Sequence, residues 1–210
     1  MSNTKIFNNE KMNLEIIPPR KGRWVVLDTE TMIKNDNYII EICLIEMDDG
    51  SPTGKFYHGF IKSQIITKEN HTNYYYKEIN TDKSMYYEEE RNIKKDLIDL
   101  LKFINGSIVF IFDVAIDIDI INRELKFENL PEISKLNCIS FLDLFNIYLN
   151  KTEPCFNKND LSLENCCEYF NLSIIKSHLG KAYVISFMIS RLLNLLYYKI
   201  ETQYTYSYFK

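Results

Sequence analysis

Short apolar runs rich in β-branched residues occupy the first third of this chain. Residues 24–28, 38–47 and 56–61 have the composition of strands. The segment 48–52, with the sequence DDGSP, lies between the second and third runs and is a strong turn signal. The pattern therefore predicts three antiparallel strands joined as a meander.

Helical periodicity follows the meander. Apolar residues fall on one face of the segment 91–104, and the continuous apolar run 108–112 is typical of a central strand buried on both faces. The remaining pattern predicts a strand and four helices: strand 137–141 and helices 118–125, 142–149, 162–170 and 181–198. Three antiparallel strands followed by alternating strands and helices indicate an α/β fold with a mixed sheet.

Length and composition favour one domain. The chain has 210 residues, of which 46% are hydrophobic, enough for one sizeable core. We expect an N-terminal extension at 1–22, a domain at 23–198 and a C-terminal tail at 199–210. With 25 basic and 29 acidic residues, any contact with nucleic acid must use a local basic patch.

The cysteines and apolar segments indicate a cytoplasmic protein. No CxxC pair is present, so buried thiols in a reducing compartment are expected at Cys43, Cys138, Cys155, Cys166 and Cys167. The N-terminus has no secretory signal pattern. The apolar run 182–200 is interrupted by polar residues, which favours an amphipathic helix over a membrane span.

Two acidic residues end the first predicted strand. Asp28 and Glu30 are two positions apart, so their side chains share one face of an extended chain. Such a pair is usually an ordinary polar strand end. The complete string VVLDTET at 25–31, followed by IIEI at 39–42, resembles the first motif and second strand of the DnaQ-like (DEDDh) 3′-5′ exonucleases. That family includes the epsilon proofreading subunit of bacterial DNA polymerase III.

The resemblance implies an RNase H-like fold and a site for two divalent ions, Mg²⁺ or Mn²⁺. In that family, Asp28 and Glu30 would be metal ligands, and Asp117, at the start of the helix after the central strand, would be the third. Crowded carboxylates need such ions to offset their charge. The alternative for Asp117 is a helix N-cap. Thr29 and Thr31, within the first motif, would bind substrate.

Two motifs depart from the family pattern. Phe112 and Asp113 replace a His-Asn pair at the end of the central strand. His178 matches the general base, with a structural histidine as the alternative. Tyr183 stands where the fourth carboxylate is expected, and a protonated phenol is a poor ligand for Mg²⁺. Asp113 or Asp119 would be the substitutes, although impairment is the expected outcome.

The resemblance implies hydrolysis of the 3′-terminal phosphodiester of DNA, with proofreading as one role. The implied partners are a single-stranded nucleic-acid 3′ end and a DNA polymerase or sliding clamp. Tyrosines 74–76 would stack on bases or form ordinary surface, and 203–209 would be a clamp-binding peptide or a loose tail. The alternatives are a noncatalytic module that binds a polymerase, clamp or nucleic-acid end, and a nuclease acting on RNA.

Overall fold

The computed structural model describes residues 20–32, 38–60, 93–153, 161–174 and 181–207. The strands are β1 (Arg23–Met32), β2 (Tyr38–Asp48), β3 (Ser51–Phe60), β4 (Ile108–Ile111) and β5 (Cys138–Ser140). The helices are α1 (Ile93–Ile104), α2 (Val114–Phe127), α3 (Phe141–Thr152), α4 (Leu163–Tyr169) and α5 (Ala182–Ser207), with a 3-10 turn at Lys135–Asn137.

The five strands form one mixed sheet in the order β3-β2-β1-β4-β5. β1 pairs antiparallel with β2, and β2 pairs antiparallel with β3. β4 pairs parallel with β1, and β5 pairs parallel with β4. The predicted α/β fold, with an antiparallel meander followed by alternating strands and helices, is therefore confirmed.

Helices cover both faces of the sheet, so β1 is buried from both sides. Trp24 and Val26 contribute to the core under α3, α4 and α5, whereas Val25 and Leu27 contribute to the core under α1 and α2. This alternation follows from the two-residue period of a strand. Among the described residues, no helix is long and apolar enough to cross a membrane.

A tight turn joins β2 to β3. Asp49 and Gly50 both have positive φ, 47° and 75°, as two-residue hairpin turns require. Asn194 of α5 donates from Nδ2 to the Gly50 carbonyl oxygen at 2.6 Å. The turn therefore fixes the hairpin and also anchors the long C-terminal helix to it.

Several elements differ in length from the sequence-based expectation. β3 begins at Ser51 rather than 56, because its first residues are exposed and lack an apolar signal. α2 begins at Val114 rather than 118. α5 extends to Ser207 rather than 198, with Ile200 buried and Glu201 paired with Arg20 at 2.7 Å. The division into 1–22, 23–198 and 199–210 stays a prediction.

The described cysteines are free thiols. Cys43, Cys166 and Cys167 are buried, and Cys138 is half-buried. Burial raises the pKa of the Cys138 and Cys167 thiols to about 11. These groups therefore stay protonated and pack as small apolar residues. Cys155 lies outside the described residues.

Trp24 joins three elements, so its removal should destabilise the fold strongly. Its ring is fully buried. The ring centroid lies 5.0 Å from that of Phe110 in β4 and 4.8 Å from that of Tyr197 in α5. We expect Trp24→Ala to lower the free energy of unfolding by about 3–5 kcal/mol in urea titrations. Phe56→Ala, at a side chain that is 68% exposed, should change it by less than about 0.5 kcal/mol. Equal losses in the two variants would contradict this description of the core.

Candidate active site

Asp28 and Glu30 lie within β1 and share one face of the sheet. Asp28 is only 5% exposed and Glu30 is half-buried. Across the sheet, Asp28 pairs with Cys43 and Glu30 pairs with Glu41 of β2. The β1–β4 pairing covers only residues 24–26, so at the two acids the backbone of β1 is held by its pairing with β2.

A register shift interrupts the β1–β2 pairing beside these acids. Glu30 pairs with Glu41, but the next residue, Thr31, pairs with Ile39, so β2 has one extra residue at Ile40. Such bulges bend the strand and increase its twist, and they are frequent near active sites. The bulge marks the point at which β1 leaves regular pairing.

Asp117 joins the site from the opposite side of β1. It lies in the first turn of α2, inside the helix, so the N-cap alternative is wrong. The Thr29 hydroxyl donates to Asp117 Oδ1 at 2.6 Å. Thr29 points away from Asp28 because neighbouring strand residues alternate, and it therefore anchors Asp117 to β1. The substrate-binding roles predicted for Thr29 and Thr31 stay predictions.

The acids of the site repel one another. Burial raises the pKa of Asp28 well above its ordinary value, and the charges of Asp117, Glu30 and Glu41 raise it further. Burial, Glu41 and Asp117 raise the pKa of Glu30 to about 7. Burial and Asp113 raise the pKa of Asp117 to about 6 against the lowering effect of the Thr29 hydrogen bond. The three shifts share one direction because carboxylates are crowded together in one partly buried region.

The chemistry of these acids fits a divalent cation. Asp28 Oδ2 is buried and has no hydrogen-bond partner among the described residues. Mg²⁺ and Mn²⁺ prefer carboxylate oxygens, and a cation would relieve the repulsion. Within the described ranges, no three His, Cys, Asp or Glu side chains are already arranged to hold a metal ion. Asp117 is bound to Thr29, and Glu41 is bound to His58 at 2.7 Å.

Tyr183 lies in the first turn of α5 and is 40% exposed. Its ring contacts His58 of β3 edge-on, with centroids 5.4 Å apart, and Lys181 Nζ lies 5.9 Å from the ring centre. The tyrosine is therefore not packed into the core between α5 and the sheet. It covers an imidazole that is itself bound to the buried acid Glu41.

The two proposed substitutes for the missing acid differ in position. Asp119 has a side chain 63% exposed and pairs with Lys135 at 2.6 Å, so it is engaged at the surface and is a poor substitute. Asp113 is half-buried and close enough to raise the pKa of Asp117. Phe112 stacks on the core residue Phe141 with centroids 6.2 Å apart. The predicted base, His178, and the tyrosines 74–76 lie outside the described residues.

Glu41 and His58 were missed by sequence reasoning as members of the site. Glu41 is 1% exposed and stands in an otherwise apolar run, IIEI. A charged residue at a buried strand position is rare unless it is paired. That interruption of the apolar run was the available signal, whereas nothing near His58 in the sequence indicated its partner.

Comparison with known proteins supports the fold. No protein-family model and no curated protein matches the chain by sequence. Among solved structures, cell-death related nuclease 4 (CRN-4) is 12% identical with a TM-score of 0.60, and 84% of this chain covers 65% of that one. E. coli Exonuclease I with a dT13 oligonucleotide is 10% identical with a TM-score of 0.67, and 89% of this chain covers 43% of that one.

A third similar structure is the nuclease domain of 3′hExo, a DEDDh family member, bound to rAMP. It is 12% identical with a TM-score of 0.54, and 81% of this chain covers 91% of it. The chain thus spans about two thirds of the CRN-4 structure and under half of Exonuclease I. At these identities the likeness shows the fold alone, an RNase H-like α/β fold with a mixed five-stranded sheet.

Removal of one repelling charge should stabilise the metal-free protein. The raised pKa values mean that the native state binds more protons than the unfolded chain between about pH 4 and 7, since unfolded carboxyls titrate near 4. Stability in EDTA should therefore fall as pH rises through this window. Asp28→Asn should raise the free energy of unfolding at pH 8 by about 0.5–2 kcal/mol.

The matched control for that measurement is Asp119→Asn. Asp119 is exposed, and its surface ion pair with Lys135 contributes little, so the control should leave the pH dependence unchanged. Urea titrations in EDTA at pH 4 and pH 8 measure both variants. A loss of stability in Asp28→Asn at pH 8 would refute the repulsion described above.

Proposed function

We propose that this chain hydrolyses the 3′-terminal phosphodiester of single-stranded DNA with the help of divalent cations. The observation that carries the proposal is the mutually repelling set of Asp28, which is buried, and Glu30 and Asp117, which are half-buried. Acids that repel one another in a protein interior cost folding free energy, and such groups are frequently found where a protein binds a ligand. Their position in an exonuclease-type fold makes a nuclease the best-supported function.

In this reaction Asp28, Glu30 and Asp117 would hold the cations, with Thr29 keeping Asp117 in place. Bound Mg²⁺ or Mn²⁺ would supply charge stabilisation and a more acidic water. The water oxygen forms a bond to the terminal phosphorus while the bond to the preceding 3′-oxygen breaks. His178 would take the water proton, and the leaving oxygen would gain a proton, releasing a nucleoside 5′-monophosphate.

The exposed first turns of α5 support a single-stranded substrate. Tyr183 and Phe187 are one turn apart and 40% and 51% exposed. Lys181 lies over the Tyr183 ring, and Arg191 lies over the Phe187 ring at 5.9 Å. Aromatic rings beside cations can stack on unpaired bases and contact phosphates. Exonuclease I in the comparison holds an oligonucleotide of dT, and the proposal extends that substrate class to this chain.

A proofreading role, with a polymerase or sliding clamp as partner, remains part of the proposal and follows from the family resemblance. Cytoplasmic localisation likewise stays a prediction.

A second candidate function is a noncatalytic module that binds nucleic-acid ends. Tyr183 favours it, because this position holds an exposed aromatic ring where the family pattern has a metal-binding acid. Such a module would keep the fold and the stacking surface and would release no nucleotide. The two candidates differ in a single measurable property, which is turnover.

Single-stranded DNA and RNA labelled at the 5′ end should be shortened from the 3′ end in Mg²⁺ or Mn²⁺. We expect DNA to be the better substrate and Asp28→Ala to lower the rate by about 100-fold or more, because it removes a cation ligand. Denaturing gels measure the product ladder, and EDTA should stop the reaction. A 3′-terminal phosphorothioate substrate checks the polarity.

Glu124→Gln serves as the matched control for the nuclease assay. Glu124 is a buried acid of α2, 2% exposed, and its charge is not among those that act on the site acids. Its rate should equal that of wild type. If wild type is inert and Tyr183→Asp becomes active, the noncatalytic module is correct. Inertness of both proteins would overturn the proposed hydrolysis.

A further inference from the structure

Glu41 is a buried acid of the IIEI segment, the part of the chain that resembles the family's second strand, and it is not one of the metal ligands that the resemblance implies. It is 1% exposed and lies directly opposite Glu30 across the β1–β2 pair. Side chains of directly opposite residues are about 5 Å apart at Cβ, and like charges in this position destabilise a sheet. An aliphatic residue would pack here without that cost. Packing of the apolar core therefore does not explain why an acid stands at position 41.

His58 holds Glu41 from the neighbouring strand. Its Nε2 lies 2.7 Å from Glu41 Oε1, and the contact is an ion pair when the imidazole is protonated. His58 pairs with Cys43 in the β2–β3 register, so it lies diagonally across from Glu41 on the same face. The Tyr183 ring packs against this imidazole. His58 therefore contacts both Glu41 and Tyr183, the residue that stands where the family pattern has an acid.

Glu41 also lies beside the proposed cation ligands. It pairs with Glu30 in the β1–β2 register, and Asp28 pairs with Cys43, which is two residues from Glu41 and therefore on the same face of β2. Asp28 is nine-tenths buried, and its Oδ2 has no hydrogen-bond partner among the described residues. An unpartnered carboxylate oxygen beside further acids is the environment that a cation requires.

We propose that Glu41 supplies the fourth carboxylate of the cation site and that His58 positions it. This inference rests on the cation site of the proposed function. A carboxylate has two oxygens that can accept, so the contact of Glu41 Oε1 with His58 leaves Glu41 Oε2 able to bind a cation. Hydrogen-bonded partners of this kind commonly orient metal-binding carboxylates. The acid missing from α5 at Tyr183 is thereby replaced by one from β2.

Direct measurement of Mn²⁺ binding tests this role without any nuclease assay. Free Mn²⁺ is followed by electron paramagnetic resonance during titration of the metal-free protein. We expect Glu41→Gln to weaken binding by about 10-fold or more, as loss of a ligand or of its support does. Asp28→Asn should weaken it at least as much. Glu124→Gln, at a buried acid outside the site, should bind as wild type does.

The outcomes separate this inference from the proposed function. If Asp28→Asn loses binding while Glu41→Gln keeps wild-type affinity, Glu41 is a structural acid and the inference is overturned, with the cation site intact. If wild type binds no Mn²⁺, both fail. Glu41→Asp retains the charge but moves the carboxylate back by one methylene. It should also weaken binding, and it decides the matter if Glu41→Gln does not fold.

The positioning role of His58 is tested by a double-mutant cycle. His58→Asn should weaken Mn²⁺ binding when Glu41 is present and should have no further effect in the Glu41→Gln background. A purely structural histidine would lower thermal stability in EDTA and leave affinity unchanged. Equal effects of His58→Asn in the two backgrounds would overturn the positioning role.

Discussion

Like charge buried in the middle of a sheet costs free energy, and β1 carries two acids there, with Glu41 directly opposite one of them. The residues around β1 are mainly apolar, and two polar side chains offset part of this charge. Thr29 donates to Asp117, and His58 contacts Glu41. Each contact satisfies one acid. Asp28 Oδ2 is left without a partner among the described residues, and the remaining imbalance is concentrated there.

The mixed sheet explains how residues so distant in sequence reach one place. Parallel pairing of β4 beside β1 brings the start of α2 to β1, and with it Asp117. Antiparallel pairing of β2 and β3 brings Glu41 and His58 from the other side. The strand alternation then separates their roles: one face of β1 presents Asp28 and Glu30, and the other presents the Thr29 hydroxyl that holds Asp117.

The sheet and most helices could be predicted because their signals are local. Apolar runs and the turn at 48–52 define the meander, and the periodicity of 91–104 defines α1. A motif indicated Asp28, Glu30 and Asp117 as candidates, and the structure places their charges close enough to act on one another. The contact between Glu41 and His58 was not identifiable, since it depends on the β2–β3 register. The register of two strands depends on long-range pairing, which cannot be read from a single sequence.

The long C-terminal helix is fastened to the sheet at two points. Ser186 donates to the Cys43 carbonyl oxygen at 3.2 Å near the acids, and Asn194 donates to the Gly50 carbonyl oxygen two turns further on. Together with the apolar packing of α5, these two hydrogen bonds oppose sliding of the helix along its axis and rotation about it. The position of the Tyr183 side chain beside His58 is therefore set by the placement of α5. A substitution at 183 would therefore change the chemical group beside His58 without changing the backbone that presents it.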